Sequence, residues 1–405
     1  MNRLEQDIRH PSLTYDELVT LRGYRSRRVR HALVESGLDC AVLFDPINVR
    51  YASGTRNMQV WSMHNACRYA FIAVDGPTVL FDYAGSAHLA AGIETVDEVR
   101  PALMWDYFAT GTRNVELAGK WARDIADLIE RYSTSRRVGV DRIDLLPLRA
   151  LEQRDVAMFD AKPALERARS IKSPIELRQM EIAYACCSDS IQAMRGKVAP
   201  GLRESAALAA LAAANIERGG EYMETRLLTS GPRTNPWLQE TSDRVMQAGE
   251  LFVFDTDIVG PFGIFTDVSR AWIIGDERPD AEQKLLYSLA HEQLHHNIDL
   301  LTPGLSFQEF AARAWPIPAE YIGNRYAELL HGVGLAVEYP LVYHKQDAPT
   351  WQYEGVFEVG MTVCVESYIG LQGGREGVKL EQPVYIGEQE VQPLCTYPFE
   401  SALID

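Results

Sequence analysis

No apolar run among the 405 residues approaches the length of a bilayer-spanning helix. The opening "MNRLEQDIRHPSL" carries no apolar h-region, so neither a secretory signal nor a membrane anchor is expected. Cysteine is sparse. Cys40, Cys67, Cys186, Cys187, Cys364 and Cys395 are scattered, form no C-x-x-C pair and sit mostly in apolar contexts. That pattern excludes a disulfide framework and reads as reduced core thiols in a cytoplasmic protein. The adjacent Cys186–Cys187 pair reads as helix packing. Positive charge is also short: the formal net charge is −16. Such a balance argues against non-specific binding to nucleic acid or to an anionic membrane. There is no low-complexity segment and no internal repeat.

What is present is an ordinary globular composition, 46% hydrophobic and 24% charged, in a chain too long for one core. Two domains are expected. Residues 15–37 predict an amphipathic helix, "CAVLFD" a buried strand and "NVRYASG" another strand. "RYAFIAV", "TVLFDY" and "RVGVDRI" are further strands, and 114–132 is helical. Strands alternating with helices predict an α/β domain over residues 1–165. "IKSPIEL" then starts a helix: Ser173 caps, Pro174 enters the first turn, and Glu176 stands three residues after the serine. Helices over 203–218, 280–301 and 306–314 mix with β segments, so residues 166–405 predict an α+β domain with antiparallel hairpins.

The chemistry concentrates in "FDTDIVGPFGIFTDVSR". Asp255 and Asp257 are two apart, which on a strand places them on one face about 6–7 Å apart. "GPFG" is turn chemistry, and the return strand brings Asp267 towards them. Three buried carboxylates require a cation among them. A metal is one solution; a salt-bridge network with Arg270 or Arg244 is the other. Downstream, His331 precedes a glycine-rich turn in "LLHGVGLAVEYP". Glu366 ends the apolar run "VCVES", and Glu381 lies in "GVKLEQPVYI" beside Val378 and Leu380. These six residues supply enough ligands for two metal ions. Oxygen-rich ligation without cysteine favours Mn or Fe(II) over a structural zinc.

In this order, the Asp–hairpin–Asp-Val-Ser-Arg segment, His-Gly-x-Gly and two Glu resemble the metal pattern of the creatinase/prolidase/methionine-aminopeptidase superfamily. "GLDCAVLFDPINVRYASG" is similar to the N-terminal domain of its creatinase and prolidase branch. The resemblance implies an α/β N-terminal domain plus an α+β pita-bread (creatinase/aminopeptidase-like) C-terminal catalytic domain. "ETRLLTSGPRTNPWLQE", "HGVGLAVEYPLV", the final "TYPF" and the extra aspartate Asp257 further resemble the bacterial dimethylsulfoniopropionate lyase branch. That kinship implies a metal-dependent, dimeric enzyme that releases dimethyl sulfide and acrylate. Its metals are two divalent ions, iron by resemblance, with manganese or zinc as alternatives.

Two departures matter. Prolidases place imidazoles where this chain has the Trp237–Leu238 segment and Glu338, so Xaa-Pro hydrolysis is not expected. The lyase branch places an aspartate base six residues after the metal histidine, where this chain has Val337. Glu338 and Tyr326 are the substitute base candidates. An aromatic box for a cationic substrate draws on Trp61, Trp237 and Tyr326, with Trp351 and Tyr353 nearby in sequence. The alternatives are a metal-dependent hydrolase of another small zwitterion or Xaa-Pro-type substrate, and a non-catalytic metal- or ligand-binding relative. A homodimer is expected in which Trp61 approaches the partner's site.

Overall fold

The computed structural model describes residues 13–404, which divide into two compact units meeting at Arg169 and Ser170. The expected boundary at 165/166 falls inside the helix Lys162–Ser170.

The first unit is built on one mixed sheet. Its strands are β1 (Cys40–Leu43), β2 (Tyr69–Ala73), β3 (Thr78–Asp82), β4 (Glu98–Pro101), β5 (Arg137–Val140) and β6 (Ala157–Asp160), in spatial order β4-β3-β2-β1-β5-β6. β1–β2 and the hairpin β2–β3 are antiparallel, although helices lie between β1 and β2; the pairs β1–β5, β3–β4 and β5–β6 are parallel. The helix α1 (Tyr15–Glu35) opens the unit, capped by Thr14 and Glu17. "NVRYASG" is not a strand. Asp45 Oδ1 accepts from Ile47 N–H at 2.8 Å and Pro46 occupies the first turn, so Pro46–Ser53 is a helix, α2. The local cap signal outweighs the β-branched and aromatic content. The helix α3 (Asn114–Tyr132) buries Ala118, Trp121, Ala122, Ile125 and Ile129 at helical spacing, and these pack with Val42, Phe44, Tyr69 and Phe71.

The second unit opens with α4 (Pro174–Arg195). Ser173 and Glu176 form the expected capping box, with Pro174 at the first position. The helix α5 (Glu204–Glu217) follows. Short strands then form two three-stranded sheets. One orders β12 (Ser269–Ile273), β9 (Leu251–Asp255) and β8 (Leu228–Ser230). The other orders β11 (Phe265–Thr266), β10 (Ile258–Val259) and β7 (Tyr222–Met223). The main sheet is antiparallel throughout, in the order β14 (Val337–Tyr343), β13 (Glu328–Val333), β15 (Thr362–Gly370), β16 (Gly377–Ile386) and β17 (Val391–Pro393). The helix α6 (Ala281–Leu300) packs against β15 and β16. Val363, Val365, Val378 and Leu380 enter that core with Leu286, Tyr287, Ala290 and Leu294. Because alternate strand residues share a face, Cys364, Glu366, Lys379 and Glu381 point away from it. Among the described residues no helix is long and apolar enough to cross a membrane.

Candidate metal centre

The hairpin does not deliver its aspartates by simple alternation. β9 ends at Asp255, Asp257 sits outside any strand with φ 42°, and Asp267 lies in the gap between β11 and β12. The ladder changes sheets at this point. Ser269 pairs with Asp255 in one sheet, and Ile258 pairs with Thr266 in the other. The interruption turns Asp257 inward, so that one carboxylate oxygen from each of Asp255, Asp257 and Asp267 lies within 4.8 Å of the others. Thr225 Oγ1 donates to Asp257 Oδ2.

A second group shares Asp267. His331 is on β13, and Cys364 and Glu366 are on β15, the strand beside it; Glu381 is paired with Glu366 across the β15–β16 ladder. His331 Nε2 lies 3.4 Å from Asp267 Oδ2, 3.4 Å from Glu366 Oε1 and 3.6 Å from Glu381 Oε1. Its Nδ1 faces Gly332 O at 3.0 Å, which aims Nε2 at the carboxylates. Gly332 and Gly334 are needed here. A Cβ on Gly332 would come within 2.4 Å of Tyr339 O, and one on Gly334 within 2.5 Å of the Glu338 carboxylate. All six expected residues are buried.

The cation that sequence reasoning sought among arginines is elsewhere. Arg270 is fully buried but donates to the carbonyls of Ser269, Glu381 and Tyr397 and to Gln382 Oε1. Arg244 pairs with Glu250, and Arg233 with Glu204. Lys379 enters the cluster instead. Its Nζ lies 3.3 Å from Asp255 Oδ2 and 3.1 Å from Glu381 Oε2, donates to Ser269 Oγ at 2.9 Å, and sits 4.7 Å from the centre of the Tyr326 ring. It also touches Glu366 Oε2 at 2.6 Å, off the hydrogen-bond direction. The period-2 signal was present: Lys379 precedes Glu381 by two on one strand. Cys364 was likewise passed over, two residues before Glu366. Its thiol donates to Asp267 O at 3.8 Å, and burial pushes its pKa well up, so it stays a neutral neighbour.

The electrostatics are those of a site short of positive charge. Burial, then the charges of neighbouring carboxylates, raises Asp255, Asp257 and Asp267; Glu366 is pushed up to about 7 by burial and by Glu381. For Glu381 burial acts upwards, but Lys379 and His331 outweigh it and hold the group low. Asp255 Oδ1, Asp267 Oδ1 and Glu381 Oε1 are buried without a hydrogen-bond partner. Orphaned buried carboxylate oxygens facing one imidazole nitrogen fit divalent metal ions, which prefer such oxygen-rich sets.

Against this geometry, residues 178–388 match metallopeptidase family M24, and residues 25–171 match the creatinase/prolidase N-terminal domain. The chain belongs to metallopeptidase family M24. It is 38% identical to dimethylsulfoniopropionate lyase DddP of Roseobacter denitrificans over 97% of this chain and 89% of that protein. It is 37% identical to the protein of the same name from Roseovarius nubinhibens, with the same coverage. An Xaa-Pro dipeptidase from Bacillus anthracis superposes with a TM-score of 0.74 at 18% identity, covering 93% of this chain and 98% of that one. A prolidase from Pyrococcus horikoshii gives 0.73 at 20%, covering 93% and 98%. This M24 chain thus has the creatinase-type N-terminal domain and the pita-bread catalytic domain.

The remaining expected site residues separate. Tyr326 joins the cluster through Lys379. It also lines a cavity of about 490 Å³ with Arg325, Ala327, Glu328, Tyr343, Asp347 and Trp351. Trp237 is a core residue. It is 7% exposed, packed into the second unit's core beside Tyr368 with ring centres 6.3 Å apart. Tyr353 is committed to packing, stacked on Tyr339 at 5.7 Å, with its hydroxyl accepting from Leu341 N–H. Trp61 is an exposed residue of the first unit; its Nε1 donates to Tyr83 Oη at 2.8 Å and its ring meets Phe108 edge-on. Glu338 is redirected as well. Its register partner is Gly332, its Oε2 lies 2.9 Å from Lys172 Nζ, and its Oε1 accepts from Leu335 N–H at 3.0 Å. A carboxylate committed to a buried ion pair is a poor proton acceptor. Val337, its neighbour, is half-exposed at the start of β14.

Glu328, which sequence reasoning passed over, is also placed at this cavity. It is half-buried, lines the cavity beside Tyr326, and burial raises its pKa while His331 and Lys379 act against the rise. Its odd spacing from His331 gave no signal; the ladder is irregular between Glu328 and Leu330, so strand alternation does not apply there. A separate pattern, His291-Glu292-Gln293-Leu294-His295, reads H-E-x-x-H on α6. The two rings stack 3.9 Å apart, capped by Phe399, and no third ligand converges on them among the described residues.

Proposed function

We propose that this chain is a metal-dependent lyase of the dimethylsulfoniopropionate type, cleaving a small sulfonium zwitterion to dimethyl sulfide and acrylate. The observation that carries this reading is Asp257, a third aspartate turned into the Asp255–Asp267 group by a break in the hairpin. Identity of 37–38% to two proteins named as such lyases supports it. Asp255, Asp257, Asp267, His331, Glu366 and Glu381 would hold two divalent ions, iron in our reading. When bound, these ions supply a Lewis-acid anchor for the substrate carboxylate.

The chain's own residues do the rest. Tyr326, Tyr343 and Trp351 offer aromatic faces to the sulfonium; Glu328 lines the same cavity, and Asp347 is paired there with Arg325. Glu328 removes the proton α to the carboxylate. The C–H electron pair becomes the new C=C bond, the C–S bond breaks towards sulfur, and dimethyl sulfide leaves. A positioned base of this kind contributes about 10²–10⁴ in rate. The peptidase reading lacks support in the same geometry, because the segments that would carry its imidazoles hold a core tryptophan and an ion-paired glutamate. A homodimer, cytoplasmic in our reading, would cover Met58, Val60, Trp61, Tyr107 and Phe108, which are 45–68% exposed.

Metal analysis combined with headspace detection of dimethyl sulfide tests the proposal. Two ions per chain and one acrylate per sulfide are expected, with Glu328→Gln lowering the rate at least about a hundredfold. Two ions with no release from dimethylsulfoniopropionate would remove the substrate assignment, and efficient cleavage of Xaa-Pro dipeptides would replace it.

A further inference from the structure

Lys379 is the most deeply buried lysine of the site, with no exposed surface, and it stands inside the proposed ligand set rather than at its rim. Its head is enclosed by Asp255, Glu366, Glu381, the Ser269 hydroxyl and the Tyr326 ring. Three of the five carboxylates are thus tied to a protein cation. An ammonium so placed has two opposite effects. It holds those carboxylates together in the metal-free protein, where mutual repulsion would otherwise spread them. It also repels any cation entering the same space.

We propose that Lys379 is a built-in counter-ion of the carboxylate cluster, one that steadies the metal-free site at the expense of metal affinity and sets the charge the site accepts from outside. The inference rests on the two-ion reading above. One ammonium in contact with three of the proposed ligands supplies part of the positive charge that two divalent ions would otherwise bring alone. The residue therefore acts through the ligands, as a positioning and charge-setting group, and makes no contact with the reacting atoms.

The test compares wild type, Lys379→Met and Lys379→Arg by Mn²⁺ titration and by melting with and without Mn²⁺. A structural lysine, once removed, weakens metal binding and lowers both melting temperatures. A counter-ion gives opposite signs. Lys379→Met should bind Mn²⁺ at least about tenfold more tightly, given one unit charge removed a few ångströms away. Its metal-free form should melt well below the metal-free wild type, with a smaller gap between the loaded forms. Lys379→Arg should stay close to wild type. If metal-free Lys379→Met does not stay folded, the loaded variant is stripped with a chelator of known affinity. A need for more chelator than wild type upholds the proposal. Equal or weaker affinity in Lys379→Met, or an Arg variant that behaves like the Met variant, overturns it. Fewer than two Mn²⁺ bound by the wild type itself would defeat the two-ion reading instead.

Discussion

Replacing Glu338 by glutamine separates a structural role from a catalytic one. The carboxylate is 4% exposed and faces Lys172, itself 8% exposed, at 2.9 Å, while its other oxygen accepts from Leu335 N–H at 3.0 Å. Removing one partner of a buried ion pair costs about 3–5 kcal/mol, chiefly because the other charge stays buried. Glutamine keeps the shape and one acceptor oxygen, so the low end, about 3 kcal/mol, is expected. For a unit of this size that lowers the melting temperature by roughly 6–12 °C. Metal content and the turnover of the folded fraction should change by no more than about threefold, since the base invoked here is Glu328. Thermal melting of the metal-loaded protein and dimethyl sulfide release per folded molecule are the two assays. A rate loss of a hundredfold or more at unchanged stability would refute this reasoning and make Glu338 the base despite Lys172.

Further outcomes follow from the same geometry. Asp257→Ala should lose one of the two ions without unfolding the protein, and full metal retention would reduce Asp257 to a neighbour of Thr225. Val337→Asp places a carboxylate at a half-exposed position of β14; with Glu328 as base the rate should rise by no more than a few-fold, and a gain of a hundredfold would show that this position is where the base belongs. His344 is 5% exposed, and burial, then the charge of Arg325, lowers its pKa to about 4. The folded state therefore binds fewer protons than the unfolded chain below pH 6.5, so stability falls as pH drops from about 6.5 to 4. The shift amounts to about 3 kcal/mol for this group. Unfolding curves across that range should steepen for wild type relative to His344→Gln, and identical slopes would contradict it.

Much of the candidate cluster was legible because its residues announce themselves against their surroundings. Asp255, Glu366 and Glu381 end or interrupt apolar strands, and His331 precedes glycines that a close strand crossing requires. The helix beginning at Pro174 was legible from Ser173 and Glu176, since capping is a local interaction between residues three apart. The segment at Asn48–Gly54 was misread for the converse reason: its side chains favour strand, while the Asp45 cap that decides it lies just outside the apolar run.

What the chain's order of residues determined alone is the set of groups able to bind cations and the faces of the strands that carry them. Period-2 geometry ties Glu366 to Cys364 and Glu381 to Lys379 whatever else surrounds them. What only the tertiary structure decided is which groups meet. Trp237 entered the core beside Tyr368, Glu338 met Lys172 from the segment just before the α4 cap, and Lys379, not Arg270 or Arg244, supplied the buried positive charge. These pairings join residues up to 166 positions apart. Charge interactions act through space and depend on burial, so no spacing along the chain encodes them.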